Sequence, residues 1–423
     1  IGLPQPNLSA RLHQNSPDEF TNACTRVIGL GSGMPQVFND ESIIPALKTQ
    51  GISHDDAMDY AVVGCVELTT QGNNLGWSDA AMFNMVKVLE LTLNNGKCML
   101  TGQSMGLETG YLSDYQSYAD LEQAYGRQIQ YFVERMIQAC EWIEVKHQEH
   151  LPSPFLSSVI DDCLEQGRDV TMGGAHYNLS GIQAIQVANV ADSLAVLKQL
   201  IFDEQRVRAK DMLEACKENF RGHEILQQIC LNQVPKYGND TAWVDQLGAQ
   251  WLTFFADQLS DRSNLRGGPY HMGLYTVSAH VPMGQNVSAT PDGRLSKDPL
   301  ADGGMSPMYG RDHLGPTAVL RSVARAPFPK ASNGTLLNMK FLPVFFKTDE
   351  GRRKFSSMLK AFVRMGIHHV QFNVLSREDL LAAKQNPEAY RGLTVRVAGY
   401  TAYFTELAED LQDEIIARTT FGE

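Results

Sequence analysis

The residues best suited to chemistry in this chain are a thiol and a carboxylate set two positions apart. In AVVGCVEL, Gly64 lets the backbone turn at Cys65, and Glu67 follows two residues later. In an extended conformation alternate side chains project to one side, so Cys65 and Glu67 can act on adjacent atoms of one bound molecule. Taken alone, GCVE is a weak signal. Free cysteine is among the most often buried residue types, and an inert packed thiol fits the same letters. The second unusual residue is Gly399, which interrupts the strand-like VRVAGYTAYF. Glycine weakens a strand and marks a tight bend or a close backbone approach, with a plain hairpin tip as the alternative.

Other motifs carry less. GLGSGMP at 29–35 is glycine-rich, but it follows a helix and lacks the strand-to-helix context and the lysine of a phosphate loop. His368 and His369 are adjacent in a strand-like segment, so they face opposite sides and cannot share a metal. The seven cysteines are an odd set with no CxxC spacing, which fits reduced thiols in a cytoplasm and predicts no metal site.

Helical spacing predicts the elements that must hold these residues. Ser16, Pro17 and Glu19 read as the start of a helix over about 17–29, and Ser53 caps a short acidic one. Apolar residues at 82, 85, 86, 89 and 93 predict a helix that ends at Asn94, Asn95 and Gly96. A long helix follows from about Asp120, then helices over 182–202, 204–219, 222–231 and 239–260. Residues 262–345 are crowded with Gly and Pro. They read as loops around a site or as surface connections, with VSAHV and KFLPVFF as short strands between them. Helix 351–365, a strand buried on both faces at IHHVQFNVLS, a capped helix at SREDLLAAKQNP and a closing helix at LAEDLQDEIIART complete the chain.

Composition narrows the class. With 36 basic and 48 acidic residues among 423, the net charge of −12 argues against duplex binding. At 43% hydrophobic and 20% charged residues the chain can build a core. It has no apolar run long enough to span a membrane and no secretory pattern near its start, and a cytoplasmic protein is expected. Ile1 stands first in place of Met, which suggests numbering from inside a longer polypeptide.

GCVE at 64–67 and RVAGY at 396–400 resemble the two signatures of the glycyl radical enzymes. GMPQVFNDE (33–41), GGAHYN (173–178), ATPDGR (289–294), ADGGMSP (301–307), ASNGTLLN (331–338), QFNV (371–374) and LQDEIIAR (411–418) extend the resemblance over essentially the whole chain. The resemblance implies an α/β fold, a ten-stranded β/α barrel of which this chain supplies the carboxyl-terminal half. Residues 1–345 would form barrel with a cysteine loop at about 60–80, and 346–423 a radical domain with its loop at about 394–404. It further implies a radical on Gly399, installed by an activating enzyme that uses S-adenosylmethionine and an iron-sulfur cluster, with no cofactor bound by the chain itself. That radical would take hydrogen from Cys65, the thiyl radical would take hydrogen from substrate, and Glu67 would move a proton on the neighbouring atom. A homodimer and an amino-terminal half, separate or missing, are the other partners implied.

Within the family, Gly64 stands where pyruvate formate-lyase has a second cysteine, which argues against acyl transfer to coenzyme A. The diol dehydratases place a hydroxyl-binding aspartate fourteen residues beyond the cysteine, and Asp79 falls there. Its plain alternative is to cap or stabilise the following helix. Leu68 replaces the usual proline, and TTQGNNLGW departs from the dehydratase text, so the pocket is expected to be reshaped. The preferred reading is dehydration of a polyol or sugar-derived alcohol, free or phosphorylated. Another radical C–N, C–S or C–C lyase or decarboxylase is the alternative, and a non-catalytic spare radical subunit the alternative of another class.

Overall fold

The computed structural model describes residues 3–422; Ile1, on which the expectation about the start of numbering rests, lies outside the described residues. Among the described residues twelve strands organise the fold: β1 (Ser9–Leu12), β2 (Gln36–Asn39), β3 (Ala61–Val63), β4 (Glu67–Thr69), β5 (Ala81–Asn84), β6 (Ser180–Ile185), β7 (Tyr270–Gly273), β8 (Asn338–Phe341), β9 (His369–Val374), β10 (Thr394–Arg396), β11 (Thr401–Tyr403) and β12 (Thr420–Phe421). One sheet runs β1-β2-β9-β8-β12 and a second, all parallel, runs β5-β6-β7. A parallel bridge between Leu274, just past β7, and Thr335, just before β8, joins them into one curved wall. Only β2 and β9 meet antiparallel within that wall.

Helices cover its outer face. Tyr118–His150 starts at a capping box formed by Ser117 and Asp120. Ala242–Ser260 packs on Val187–Val196, where every residue is buried. Buried aliphatic and aromatic residues from these helices and the wall form one continuous core. Strands from both sides of residue 345 share the first sheet, so the radical loop is carried on the same wall as β1 and β2.

Several expectations need correction. The helix read over 182–202 begins as β6; Gln186 then takes a left-handed conformation (φ +73°), and the helix runs only from Val187. An apolar run buried on all sides has no period that separates strand from helix. Similarly, the pattern from 82 starts with β5, and the helix is Met85–Leu93, capped by Asn84. VSAHV is not a strand, since His280–Gln285 is helical. KFLPVFF is strand only to Phe341, because Pro343 opens a 3₁₀ turn where it has no N–H to give a ladder. Ser16 does not cap the first helix; Pro17 stands at that position and the Ser16 hydroxyl accepts from the His13 N–H.

The Gly/Pro-rich stretch is not surface connection. Residues 287–294 and 300–308 are buried. Arg294 donates to the carbonyls of Val287, Ser288, Leu295 and Asp298, and Arg311 pairs with Asp192 and Asp292. Arg294 thereby satisfies an irregular backbone that would otherwise be costly to bury, and Arg311 balances two buried carboxylates.

Candidate active site

Two hairpins meet tip to tip. In the first, β3 and β4 pair antiparallel with Val63 opposite Glu67, leaving Gly64, Cys65 and Val66 as the turn. Gly64 sits at φ +62°, in the left-handed region that glycine enters without steric cost. Glu67 folds back over its own turn, and its Oε2 accepts the N–H of Cys65 at 2.6 Å and of Val66 at 2.7 Å. The carboxylate thus satisfies two buried donors and holds itself beside the thiol. Cys65 is 8% and Glu67 7% exposed.

In the second hairpin, β10 and β11 pair with Arg396 opposite Thr401, and the turn Val397–Tyr400 is closed by the Val397 N–H to the Tyr400 carbonyl at 2.9 Å. Gly399 takes φ +84°, and a Cβ there would lie 2.1 Å from Cys65 Cβ, 2.8 Å from its Cα and 3.0 Å from its Sγ. The hydrogen that Gly399 carries in the side-chain position therefore points into Cys65. No larger residue fits without displacing the cysteine turn.

The electrostatics keep the thiol intact. Burial, then the charge of Glu67, pushes the Cys65 pKa up to about 12, against a smaller opposing effect of Arg396. At neutral pH the group is S–H, not thiolate, and so suited to giving up a hydrogen atom rather than to nucleophilic attack. Burial also raises the Glu67 carboxyl, opposed by the backbone N–H groups of the turn.

A row of polar side chains on the wall holds both tips. Ser9 pairs with Gln36, Val37 with Val370, and Asn338 with Gln371, so Ser9, Gln36, Gln371 and Asn338 stand side by side across β1, β2, β9 and β8. Gln36 Nε2 donates to the Cys65 carbonyl at 2.9 Å. Gln371 Oε1 accepts the Gly399 N–H at 2.9 Å, and its Nε2 donates to Asn338. Asn338 in turn donates to the Val397 carbonyl. Asn373 accepts the Arg396 N–H at 2.8 Å and donates to the Arg396 carbonyl at 2.7 Å. From the far side Arg418, paired with buried Glu414, donates to the Val397 carbonyl at 2.9 Å. Gly33 of GLGSGMP lies against Arg396 and Thr401, so that run serves packing of the radical hairpin.

Asp79 is exposed, in the loop between β4 and β5. It does not cap a helix, since a strand follows it and Asn84 takes the cap. Its loop is pinned through the Ser78 carbonyl, which accepts from Gln183 and the Tyr275 hydroxyl at 2.7 Å each and from Asn333 at 2.6 Å. The surrounding walls, then the charge of Glu67, push its carboxyl up to about 6. Its charge is felt at Cys65 and Tyr275 as well, so thiol, both carboxylates and the phenol share one neighbourhood.

Sequence reasoning missed Gln36, Asn338, Gln371, Asn373 and Arg396. A signal was present: QFNV puts two amides at alternate positions of a strand read as wholly buried, hence on one inward face. His368 and His369 serve structure, one packed against Phe328 and the other at 3.1 Å from Gln36 Oε1. All seven cysteines are free, and among the described residues no group of three or more His, Cys, Asp or Glu could hold a metal. Among the same residues no helix is long and apolar enough to cross a membrane.

Comparison with known proteins bears on the family and the fold. Residues 1–284 match the pyruvate formate lyase-like family and 301–405 the glycine radical family. The B12-independent glycerol dehydratase of Clostridium butyricum, solved with glycerol bound, superposes with a TM-score of 0.96 at 41% identity, covering 99% of this chain and 53% of that one. The (2S)-3-sulfopropanediol dehydratase of Klebsiella oxytoca is 38% identical over 99% of this chain and 51% of its own length. The isethionate sulfite-lyase of Oleidesulfovibrio alaskensis is 35% identical over the same shares. The chain thus spans about half the length of the relatives it matches. The fold is the α/β barrel of the glycyl radical enzymes, and the chain belongs to the pyruvate formate lyase-like family, with Gly399 inside the region matched by the glycine radical family.

Proposed function

We propose that the protein is a glycyl radical lyase that eliminates water from a polyol or a sugar-derived alcohol, free or phosphorylated. An activating enzyme, using S-adenosylmethionine and an iron-sulfur cluster, removes one hydrogen atom from Gly399. The glycyl radical then takes the hydrogen atom of the Cys65 thiol: the S–H bond breaks, a Cα–H bond forms, and a thiyl radical remains. That radical takes hydrogen from a substrate carbon, Glu67 moves the proton that lets the adjacent hydroxyl depart as water, and Asp79 holds a neighbouring hydroxyl. Hydrogen returns from Cys65 to close the cycle. The amino-terminal half of the barrel and a second copy of the enzyme are the partners expected to complete the assembly.

The observation that carries this reading is a buried, protonated thiol packed against the Cα of a glycine. Gly64 before Cys65 leaves no second thiol to carry an acyl group. The dehydratases among the relatives support water as the leaving group, and Asp79 supports a hydroxylated substrate. C–S cleavage is the second reading, favoured by the similarity to isethionate sulfite-lyase. The test is an anaerobic screen of the activated full-length enzyme against glycerol, propanediols, sugar alcohol phosphates and sulfonated alcohols, scoring carbonyl product and sulfite separately. Carbonyl product without sulfite, slowed in Asp79→Asn, supports dehydration. Release of sulfite, or no product from any hydroxylated compound, contradicts it.

A further inference from the structure

Arg396 is fully buried, yet its charge meets no carboxylate among the described residues. Of the other buried arginines, Arg266, Arg311 and Arg418 pair with Glu144, with Asp192 and Asp292, and with Glu414, and Arg294, which donates to backbone carbonyls, still feels the charges of Asp292 and Asp298. Arg396 instead spends all five N–H groups on neutral oxygens. Nε donates to Gln371 Oε1 at 2.8 Å, Nη1 to Asn7 Oδ1 at 2.7 Å and to Thr401 Oγ1 at 3.3 Å. Nη2 donates to Gln36 Oε1 at 2.6 Å and to the Gly399 carbonyl at 2.8 Å. Burial lowers its pKa to about 9, which leaves it protonated at neutral pH.

Both polar groups that flank the Gly399 Cα are thereby engaged. The carbonyl accepts from Arg396 and, at 3.0 Å, from Asn7 Nδ2; the N–H donates to Gln371 Oε1. Arg396 also fixes which way the two glutamine amides face, since it binds the oxygen of each. In a planar Cα radical the amide nitrogen donates electron density and the carbonyl withdraws it. A cation on the carbonyl and an acceptor on the N–H strengthen that push and pull, and a neutralising carboxylate would weaken it.

Resting on the radical reading of Gly399, we propose that Arg396 is a positioning residue that tunes the radical: its uncompensated charge draws electron density onto the Gly399 carbonyl and so spreads unpaired spin from Cα onto the flanking amides, while Gln371 supports the opposite flank. The exchange it tunes is hydrogen-atom transfer between the Cys65 S–H and Gly399 Cα, in which one S–H bond breaks, one C–H bond forms and no net charge moves. A fixed charge then acts on the balance only through the spin distribution, which is measurable.

The test is electron paramagnetic resonance of the full-length enzyme after anaerobic activation, comparing the unsubstituted protein with Arg396→Gln, Arg396→Lys and Asn7→Ala. The expected result is a wider doublet splitting from the remaining Gly399 hydrogen in Arg396→Gln, because more spin stays on Cα. Arg396→Lys, which keeps the charge, recovers part of the original splitting, and Asn7→Ala widens it by less than Arg396→Gln. A purely structural role changes radical yield or lifetime and leaves the splitting alone, so an unchanged splitting in Arg396→Gln overturns the proposal. Should circular dichroism show that variant unfolded, Asn7→Ala carries the test, and an unchanged splitting there overturns it. A doublet that is present but insensitive defeats only the role of Arg396; no doublet in the unsubstituted enzyme defeats the radical reading and this proposal with it.

Discussion

The cysteine hairpin and the radical hairpin have the same local design and differ in how much of their support comes from elsewhere in the chain. Each is a short antiparallel pair with a glycine at positive φ in its turn, Gly64 in one and Gly399 in the other. The cysteine turn is braced mainly from within: Glu67, on its own second strand, takes the N–H groups of Cys65 and Val66, and the wall adds the bond from Gln36 to the Cys65 carbonyl. The radical turn is held by side chains drawn from far along the chain, among them Asn7, Asn338, Gln371, Asn373 and Arg418. A loop braced mainly by its own residues can be read from a few adjacent letters. A loop held from elsewhere depends on the whole wall.

That contrast can be broken at several points. The largest effect is expected at the contact between the tips. Gly399→Ala forces a side chain into Cys65 at a positive φ and removes the radical site, so activated protein gives no radical signal and no turnover. Cys65→Ser separates the two hairpins functionally: the radical still forms, and product formation stops because an O–H bond is too strong to yield its hydrogen. Product formed at an undiminished rate by Cys65→Ser would exclude the thiyl relay.

Next is Glu67→Gln, which keeps an oxygen to brace the turn and removes the proton donor. Turnover falls by about 10²–10⁴, the usual worth of a positioned acid or base, while the radical signal is retained. Undiminished turnover in this variant would exclude the proton-transfer role and leave the carboxylate as a brace. Asn373→Ala leaves the Arg396 N–H unpaired in a buried site and its carbonyl with only the longer bond from Arg418 at 3.3 Å, at a cost of about 1–3 kcal/mol. Denaturation should locate that loss in the full-length protein, and hydrogen exchange should show faster opening of 394–404 than of 61–69. Equal exchange in the two hairpins would erase the contrast.

The smallest effect is a pH dependence. With its carboxyl raised to about 6, Asp79 is ionised above that pH and protonated below it. If the ionised form binds the substrate hydroxyl, kcat/KM declines as pH falls through about 6, and Asp79→Asn flattens that limb. A limb that persists in Asp79→Asn assigns the titration to another group, with Glu67, also raised, the first to examine.

The same contrast explains how much the sequence disclosed. Cys65 and Glu67 stand two letters apart and explain each other through period-two geometry, and Gly399 is visible because it interrupts a strand. The helices with strong amphipathic spacing, Tyr118–His150 and Asp349–Arg364 among them, appear close to where periodicity puts them. By contrast, Gln36 and Gln371 become neighbours only when β2 and β9 pair across more than 300 residues, and no local pattern encodes that register. The short strands β5 and β6 carry no strand signal of their own: β6 is buried throughout and shows no alternation, and β5 is four residues that run directly into the helix from Met85. Arg396 was part of a recognised motif, but its isolation from any carboxylate is a property of the folded interior alone.

The central claim is that Gly399 carries an unpaired electron beside a neutral thiol at Cys65. Its most direct test is electron paramagnetic resonance of the anaerobically activated full-length enzyme, prepared with ordinary glycine and with glycine labelled with ¹³C at Cα. The account predicts a doublet from the one remaining Gly399 hydrogen, split further by the label and absent from Gly399→Ala. A signal that the label leaves unchanged, or that survives in Gly399→Ala, would contradict it.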